Sequence, residues 1–421
     1  MTPSNHPSDR ASDAEPDRQP DREVETASAP RARDAGTSGG FDTDLTLGPA
    51  TRLLWRSPDC VHLEVGDRAV VVEGLPAPVL RAVAASLPPP RSRAVATRSG
   101  APAPAAQRAG DPRDPRNPAD SVNSGDSGDS APPAVRDTLR ALAEAGFLWR
   151  RPGGPDDRRL SPPGPRLAPE LTSLAGRHGP AAADVLAARQ TARVVVHGAS
   201  RLAAQLGAVL ASAGVGRVHC SGGGDVRLHC AAPGGVTPGD EGRPLQQAAE
   251  HALRRAAPEV DTGPPDPDEP ADLTVLALDE PVSDDRRLAL HALDAPYLVV
   301  RLGADSGVIG PLVLPGLTSC LRCADLHRQD RDPAWAALSV QLTIGRRHGP
   351  ASSVAVATLV AGAAAVQALA FLDGEQPAAV NATLEVQLPD WRLRRRSWPM
   401  HPECDCAQLP QSPTGRAAGQ R

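Results

Sequence analysis

The chain has 421 residues, enough for more than one domain and a substantial core, but 46 Pro, 38 Gly and 2% aromatics point to folded blocks separated by segments that bury little. A net charge of -5 excludes a general attraction to nucleic acid or anionic lipid. Arginine supplies every permanent positive side-chain charge; with no lysine anywhere, chemistry that requires a lysine is excluded.

Residues 1–48 are rich in Asp, Arg, Ser, Pro and Thr without apolar periodicity, which predicts a disordered tail. They also lack a signal-peptide pattern, so a cytoplasmic chain with reduced thiols is expected. Order begins near Leu53. Leu53-Leu54-Trp55-Arg56, Val61 to Val65, a Gly66-Asp67 turn and Ala69 to Val72 predict short strands with a hairpin. Pro78 to Val83 reads as helical. Residues 88–133, with the repeat Asn123-Ser-Gly-Asp-Ser-Gly-Asp-Ser130, predict a flexible insertion. A helix carrying Leu139 and Leu142, stopped by Gly146 before Phe147-Leu148-Trp149, completes a small winged-helix-like α+β module over 49–150.

A linker is expected over 151–178, an α/β domain over 179–407 and a disordered tail over 408–421. Arg193 to His197 is a strand ending in Gly198, and Leu202, Leu206, Val209 and Leu210 line the following helix, which Gly214 ends. Further strands are read at Val215 to Cys220, Leu273 to Ala277 and Tyr297 to Arg301, with a helix from Gly242 to Ala256. Strands alternating with helices predict a doubly wound, mainly parallel sheet. In such sheets ligands sit at the carboxyl ends of the strands. The turn Gly198-Ala199-Ser200-Arg201 is therefore a candidate phosphate loop, with Arg201 as its cation, although it is not G-x-G-x-x-G and a turn that only connects strand to helix explains it as well.

Cys320-Leu-Arg-Cys323 and Cys404-Asp-Cys406 are two close thiol pairs, the donor set of a tetrahedral structural Zn²⁺. A full shell of four sulfurs leaves no open position for catalysis, and His401 lies near enough in sequence to replace one sulfur. Cys60, Cys220 and Cys230 are scattered, and the last two read as small buried residues. His327 reads as structural beside the metal, with a general base as the alternative. Arg331-Asp332-Pro333 with Trp335 reads as a helix cap, or as a wall over the nucleotide site. The arginines at 392–396 between Trp391 and Trp398 read as a solvated strand face, with a groove for an acidic peptide as a second reading. Val354 to Leu372 is apolar but interrupted by Thr358, Gly362 and Gln367, which predicts a buried or dimer-facing helix and a homodimer rather than a membrane span.

The glycine-turn strand, Ala213 to Gly216, the Asp279 loop, the strand into Cys320-x-x-Cys323, the alanine-rich helix and the closing cysteines resemble the ubiquitin-activating-enzyme-like ThiF/MoeB superfamily over residues 180–407. More narrowly, Gly307 to Gly316, Cys320 to Arg328 and Arg331 to Trp335 resemble an actinobacterial branch described as leader-peptide-binding proteins of azole-modified (TOMM/RiPP) peptide biosynthesis, whose winged-helix recognition element the N-terminal module is similar to. The superfamily resemblance implies a Rossmann-type fold, ATP and Mg²⁺, and adenylation of a peptide or protein carboxylate. Carried over, Gly198, Ala199, Ser200 and Arg201 fall on the nucleotide loop, Asp279 on the Mg²⁺-linked aspartate and Asp225 on the ribose-binding acid. The family's G-x-x-K falls on Gly242-Arg-Pro-Leu245, with leucine in place of lysine.

The expected function is a zinc-stabilised protein that binds a leader peptide or small protein and presents it to a modifying enzyme, its adenylation degenerate or lost. The alternative is an active adenylyltransferase with Asp279 on Mg²⁺ and Arg201 on phosphate as its catalytic residues.

Overall fold

The computed structural model describes residues 24–28, 45–48, 50–57, 60–66, 68–74, 133–150, 164–198, 201–266, 270–278, 281–344, 352–390 and 392–407. The chain divides into two compact units, Met1–Asp156 and Asp157–Arg421.

In the first unit, β3 (Arg52–Ser57), β4 (Cys60–Val65) and β5 (Arg68–Glu73) form an antiparallel meander, with Val65 paired to Arg68 across a turn that opens on Gly66 at φ 61°. Glycine reaches that backbone region without steric cost. One face buries Val61, Leu63, Val65, Val70 and Val72 against Val135, Leu139 and Leu142 of α1 (Pro133–Glu144). Pro133 opens this helix, where its missing N–H costs nothing, and Gly146 at φ 81° ends it. Phe147 then leads into β6 (Leu148–Arg150), which pairs with β2 (Leu45–Leu47).

Two of these elements correct the reading of residues 1–48 as a tail without structure. β1 (Val24–Ser28) runs parallel to β5, and Leu47 is buried in the unit's core. A strand added to an existing edge is held by main-chain bonds and needs no apolar pattern of its own. The helix read at Pro78 to Val83 lies outside the described residues, as does the 88–133 insertion except for its last residue.

The second unit is a seven-stranded sheet in the order β13-β12-β11-β10-β9-β7-β8. Its parallel half contains β7 (Arg193–His197), β8 (Arg217–Ser221), β9 (Leu273–Ala277) and β10 (Tyr297–Leu302). Its antiparallel half continues through β11 (Ser306–Val313), β12 (Ala382–Gln387) and β13 (Arg394–Ser397). The sheet is α/β but mixed, not mainly parallel. Only Gly303, Ala304 and Asp305 separate β10 from β11, too few for the crossover that a parallel partner requires.

The stretch read as a linker also carries structure. α2 (Ala168–His178) opens with a proline, has Glu170 in its first turn and Arg177 and His178 in its last, and buries Leu174 and Ala175. Those are helix-start and helix-end signals, so the prolines that resembled a linker partly mark a boundary. Residues 151–163 lie outside the described residues. α3 (Ala182–Thr191) supplies Arg189, whose guanidinium is 1% exposed as a residue and binds both Asp373 oxygens at 2.5 and 2.6 Å and Glu170 at 3.1 Å.

α4 (Arg201–Ser212) and α5 (Leu245–Ala256) cover the parallel half, with Leu202, Leu206, Leu210 and Leu253 in the core. α6 (Asp284–Ala292) precedes β10; α7 (Leu321–Arg331) and α8 (Trp335–Ile344) follow β11. α9 (Val354–Leu372) is long and apolar enough to cross a membrane, yet it buries Val356, Val360, Ala364 and Ala368 in the sheet's own core, as a core helix does. The Ser353 side chain caps it by accepting the Val356 N–H at 3.2 Å.

Candidate metal centre and the glycine turn

β11 ends in a turn closed by Thr318 on Leu314, and the Asn381 side chain accepts the Ser319 N–H at 2.8 Å. This fixes Cys320 at the N-cap of α7 and Cys323 one turn inside it. After β13, the short helical turn Asp405–Ala407 returns Cys404 and Cys406 to the same place. All four cysteines are buried. Their sulfurs stand 3.9 Å apart for Cys320 and Cys323, 3.7 Å for Cys320 and Cys404, and 3.5 Å for Cys323 and Cys406. Four thiolates at about 2.3 Å from a tetrahedral ion sit roughly 3.8 Å from one another. A disulfide needs about 2.05 Å. The donor set and its spacing therefore fit a four-coordinate soft metal.

Electrostatics favour the same reading. The hydrogen bond from Cys320 holds the Cys323 thiol below the ordinary thiol range, while burial pushes Cys406 above it. Cys320 is shifted upward by the bond it donates to Cys323. A cation resolves this conflict, since it lets all four ionise. Arg287 on α6 is the buried permanent cation here. Burial opposes its charge, but the hydrogen bond to Asp284 and the field of Cys320 more than offset that and raise its pKa. Nothing in the sequence around Arg287 marked it as a neighbour of the thiols.

His401 does not replace a sulfur. Its Nδ1 accepts the Glu403 N–H at 3.1 Å and its Nε2 meets Asp330 at 2.9 Å, so both ring nitrogens are engaged beside the cluster. His327 Nε2 meets the Pro399 carbonyl at 3.0 Å, and the ring stands edge-on to His401. Asp332 accepts the Ala334 N–H at 2.9 Å and the Trp335 indole donates to Asp325 at 3.1 Å, which makes Arg331 to Trp335 a helix cap. Arg328 lies between the Trp335 and Trp398 rings at 5.2 and 4.7 Å. The arginines of β13 are exposed; Arg394 pairs with Asp390 and Arg396 with Glu385. They form a largely neutralised strand face, and Trp391 lies outside the described residues.

The glycine turn sits at the carboxyl end of β7. A Cβ on Gly198 would overlap the Ala277 carbonyl oxygen, and one on Gly222 the Gly198 carbonyl oxygen. Both positions thus require glycine for strand packing alone. Leu245 is 5% exposed and, with Gly198, Gly222, Ala203 and Cys220, lines a partly open cavity of about 10 Å³, room for about one water. Arg201 does not point its charge at an open loop: Nε and Nη2 both donate to the His229 carbonyl, at 2.9 and 2.6 Å. Asp225 is exposed in a loop bridged to Pro244, and Arg243 faces Asp240 at 3.9 Å. Ala199, Ser200 and Asp279 lie outside the described residues. Burial lowers the His197 pKa to about 4, helped by Arg286 and His219, so this histidine is neutral at pH 7. Burial pushes the Cys220 thiol up to about 12, which makes it a poor nucleophile.

No protein-family model matches the chain, and no curated protein matches it. Among solved structures, it overlays Escherichia coli MccB with AMPCPP and MccA at TM-score 0.55 and 14% identity, covering 86% of this chain and 99% of that one. E. coli MccB with succinimide gives TM-score 0.55 and 16% identity over 87% and 99%. A structure described as the microcin C7 biosynthetic enzyme MccB in complex with N-formylated MccA gives 0.51 and 17% over 65% and 81%. The chain shares the fold of MccB. At this identity the likeness to MccB establishes architecture alone.

Proposed function

We propose that this protein recruits a leader peptide or small protein and presents it to a modifying enzyme, using a ThiF-like domain clipped by Zn²⁺ on Cys320, Cys323, Cys404 and Cys406. The observation that carries the proposal is the overlay on nearly the whole length of MccB, solved with MccA, combined with a glycine turn whose nearby cation is committed elsewhere. Zn²⁺ is the ion of choice because it favours four sulfurs in tetrahedral array, and a closed shell makes its role structural. The peptide would add as a strand to the edge of β5 in a winged-helix-like module over 49–150, main-chain bonds giving affinity and alternate side chains specificity. The actinobacterial leader-binding branch is the narrower assignment, and a cytoplasmic homodimer using exposed Val354, Leu359 and Val366 of α9 is part of it.

Adenylation is degenerate in this reading. Leu245 stands where the resemblance puts a lysine, and losing a fixed charge at a phosphoryl site removes transition-state stabilisation worth several kcal/mol. A second reading, an active adenylyltransferase with Asp279 on Mg²⁺, Arg201 on phosphate and Asp225 on ribose, has support from MccB having been solved with AMPCPP. It requires Arg201 to leave the His229 carbonyl, and arginine's planar fork is no direct substitute for lysine.

The test is fluorescence anisotropy with labelled leader peptides encoded by neighbouring reading frames. Saturable binding that Val71→Pro removes, with the α/β domain still folded, is expected. Failure of every leader to bind, or binding that survives Val71→Pro, would overturn the assignment.

A further inference from the structure

β5 has two edges. One bonds β4 in the hairpin; the other is filled over five residues by β1, with Val24 opposite Ala69, Thr26 opposite Val71 and Ser28 opposite Glu73. This pairing is parallel, whereas the remaining pairings of the same sheet are antiparallel among the described residues. β3 and β4 intervene in sequence, so β1 is not a hairpin neighbour but a strand brought in from elsewhere in the chain. The edge it covers runs beside Val71 and Val72, which are at most 1% exposed, and the outer N–H and C=O groups of such a strand can accept any extended segment.

We propose that Val24–Ser28 is an internal occupant of the peptide edge, which an incoming extended peptide must displace. This inference rests on the reading of β5 as the peptide-accepting edge, and adds its regulation. A tethered strand competes as an intramolecular ligand at an effective concentration on the order of millimolar. Weak or chance strands are thereby excluded, the edge is shielded from edge-to-edge aggregation, and only a peptide that outcompetes β1 is recruited.

The test compares the full-length protein with its Thr26→Pro variant, in which proline cannot sit in a paired strand interior. Ala27→Pro serves as the second variant: successive residues of a strand turn their N–H to opposite sides, so one of the two proline substitutions removes an N–H that bonds β5. Hydrogen exchange is followed at the β5 amides that face β1, and anisotropy is measured with a fluorescein-labelled synthetic peptide of residues Pro20 to Pro30 of this chain. We expect those amides to exchange at least about tenfold faster in the variants, and the peptide to bind the variants at least about tenfold more tightly than the unsubstituted protein. Unchanged exchange, equal affinity, or no binding to any of the three proteins overturns the inference. A protein that recruits no foreign leader would still show this pattern, so the two readings fail separately.

Discussion

Cys320 Sγ lies 3.7 Å from Cys404 Sγ across 84 residues of sequence. Between them run α7, α8, α9 and the last two strands, so the cysteine cluster brings the beginning of this segment beside its end. Structural zinc in small metal-folded peptides contributes about 10–16 kcal/mol of binding free energy near pH 7. Cys404→Ser or Cys323→Ser should lose the metal and cost the second unit at least about 3 kcal/mol, read by metal content and thermal unfolding. A metal-free protein of unchanged stability would remove the clip from the account.

Gly198 should be indispensable whether or not a nucleotide binds. Its missing Cβ is what allows the Ala277 carbonyl to approach. Gly198→Ala should destabilise the unit by about 1–3 kcal/mol in denaturant unfolding without ATP, because β7 and β9 must shift apart. A neutral substitution would contradict the packing argument.

Arg189 and Asp373 form a buried pair, with side chains 2% and 0% exposed. Removing Arg189 leaves the buried Asp373 charge with Arg177 at 3.6 Å in place of two short bonds. Arg189→Ala should cost about 3–5 kcal/mol, while Arg189→Met combined with Asp373→Leu should recover most of that loss. Equal losses for the single and double variants would mean that the site depends on shape and not on charge.

His197 should make stability fall in acid. Its folded pKa is about 4, below the 6.5 of an unfolded histidine, so between those values the unfolded chain takes up a proton that the fold refuses. Stability is unaffected by this group above pH 6.5, declines as pH drops toward 4, and changes no further below that. Urea midpoints of His197→Gln should therefore decline less steeply than those of the unsubstituted protein through this window. Parallel curves would contradict the burial argument.

Cys220 should be inert. With its thiol pushed up to about 12, roughly one molecule in ten thousand is thiolate at pH 8. Mass spectrometry after brief iodoacetamide treatment of the native protein should find Cys220 unmodified, and rapid labelling would reopen its candidacy as a nucleophile.

The four-cysteine cluster was legible because thiols are sparse and their two short spacings bring soft donors together whatever the intervening fold does. The β4–β5 hairpin and the β7–α4 unit were legible for a similar reason, since Gly66, Gly198 and the Leu202, Leu206, Leu210 row are local signals. β1 was not, because Val24–Ser28 takes its structure from the edge of β5 and carries no pattern of its own. The antiparallel half of the sheet was obscured by apolar runs that look alike in either direction, although the three-residue turn at Gly303 excluded a crossover. Arg201 was read as the cation of the glycine turn; it opens α4, and its partner, the His229 carbonyl, is a backbone atom that no residue pattern could announce.

The most direct test of the central claim is calorimetry of ATP·Mg²⁺ with the zinc-loaded, full-length protein. The account predicts no saturable heat, leaving a recruiting scaffold with a degenerate nucleotide site. A saturable heat that Asp279→Ala abolishes would contradict it and favour the adenylating enzyme.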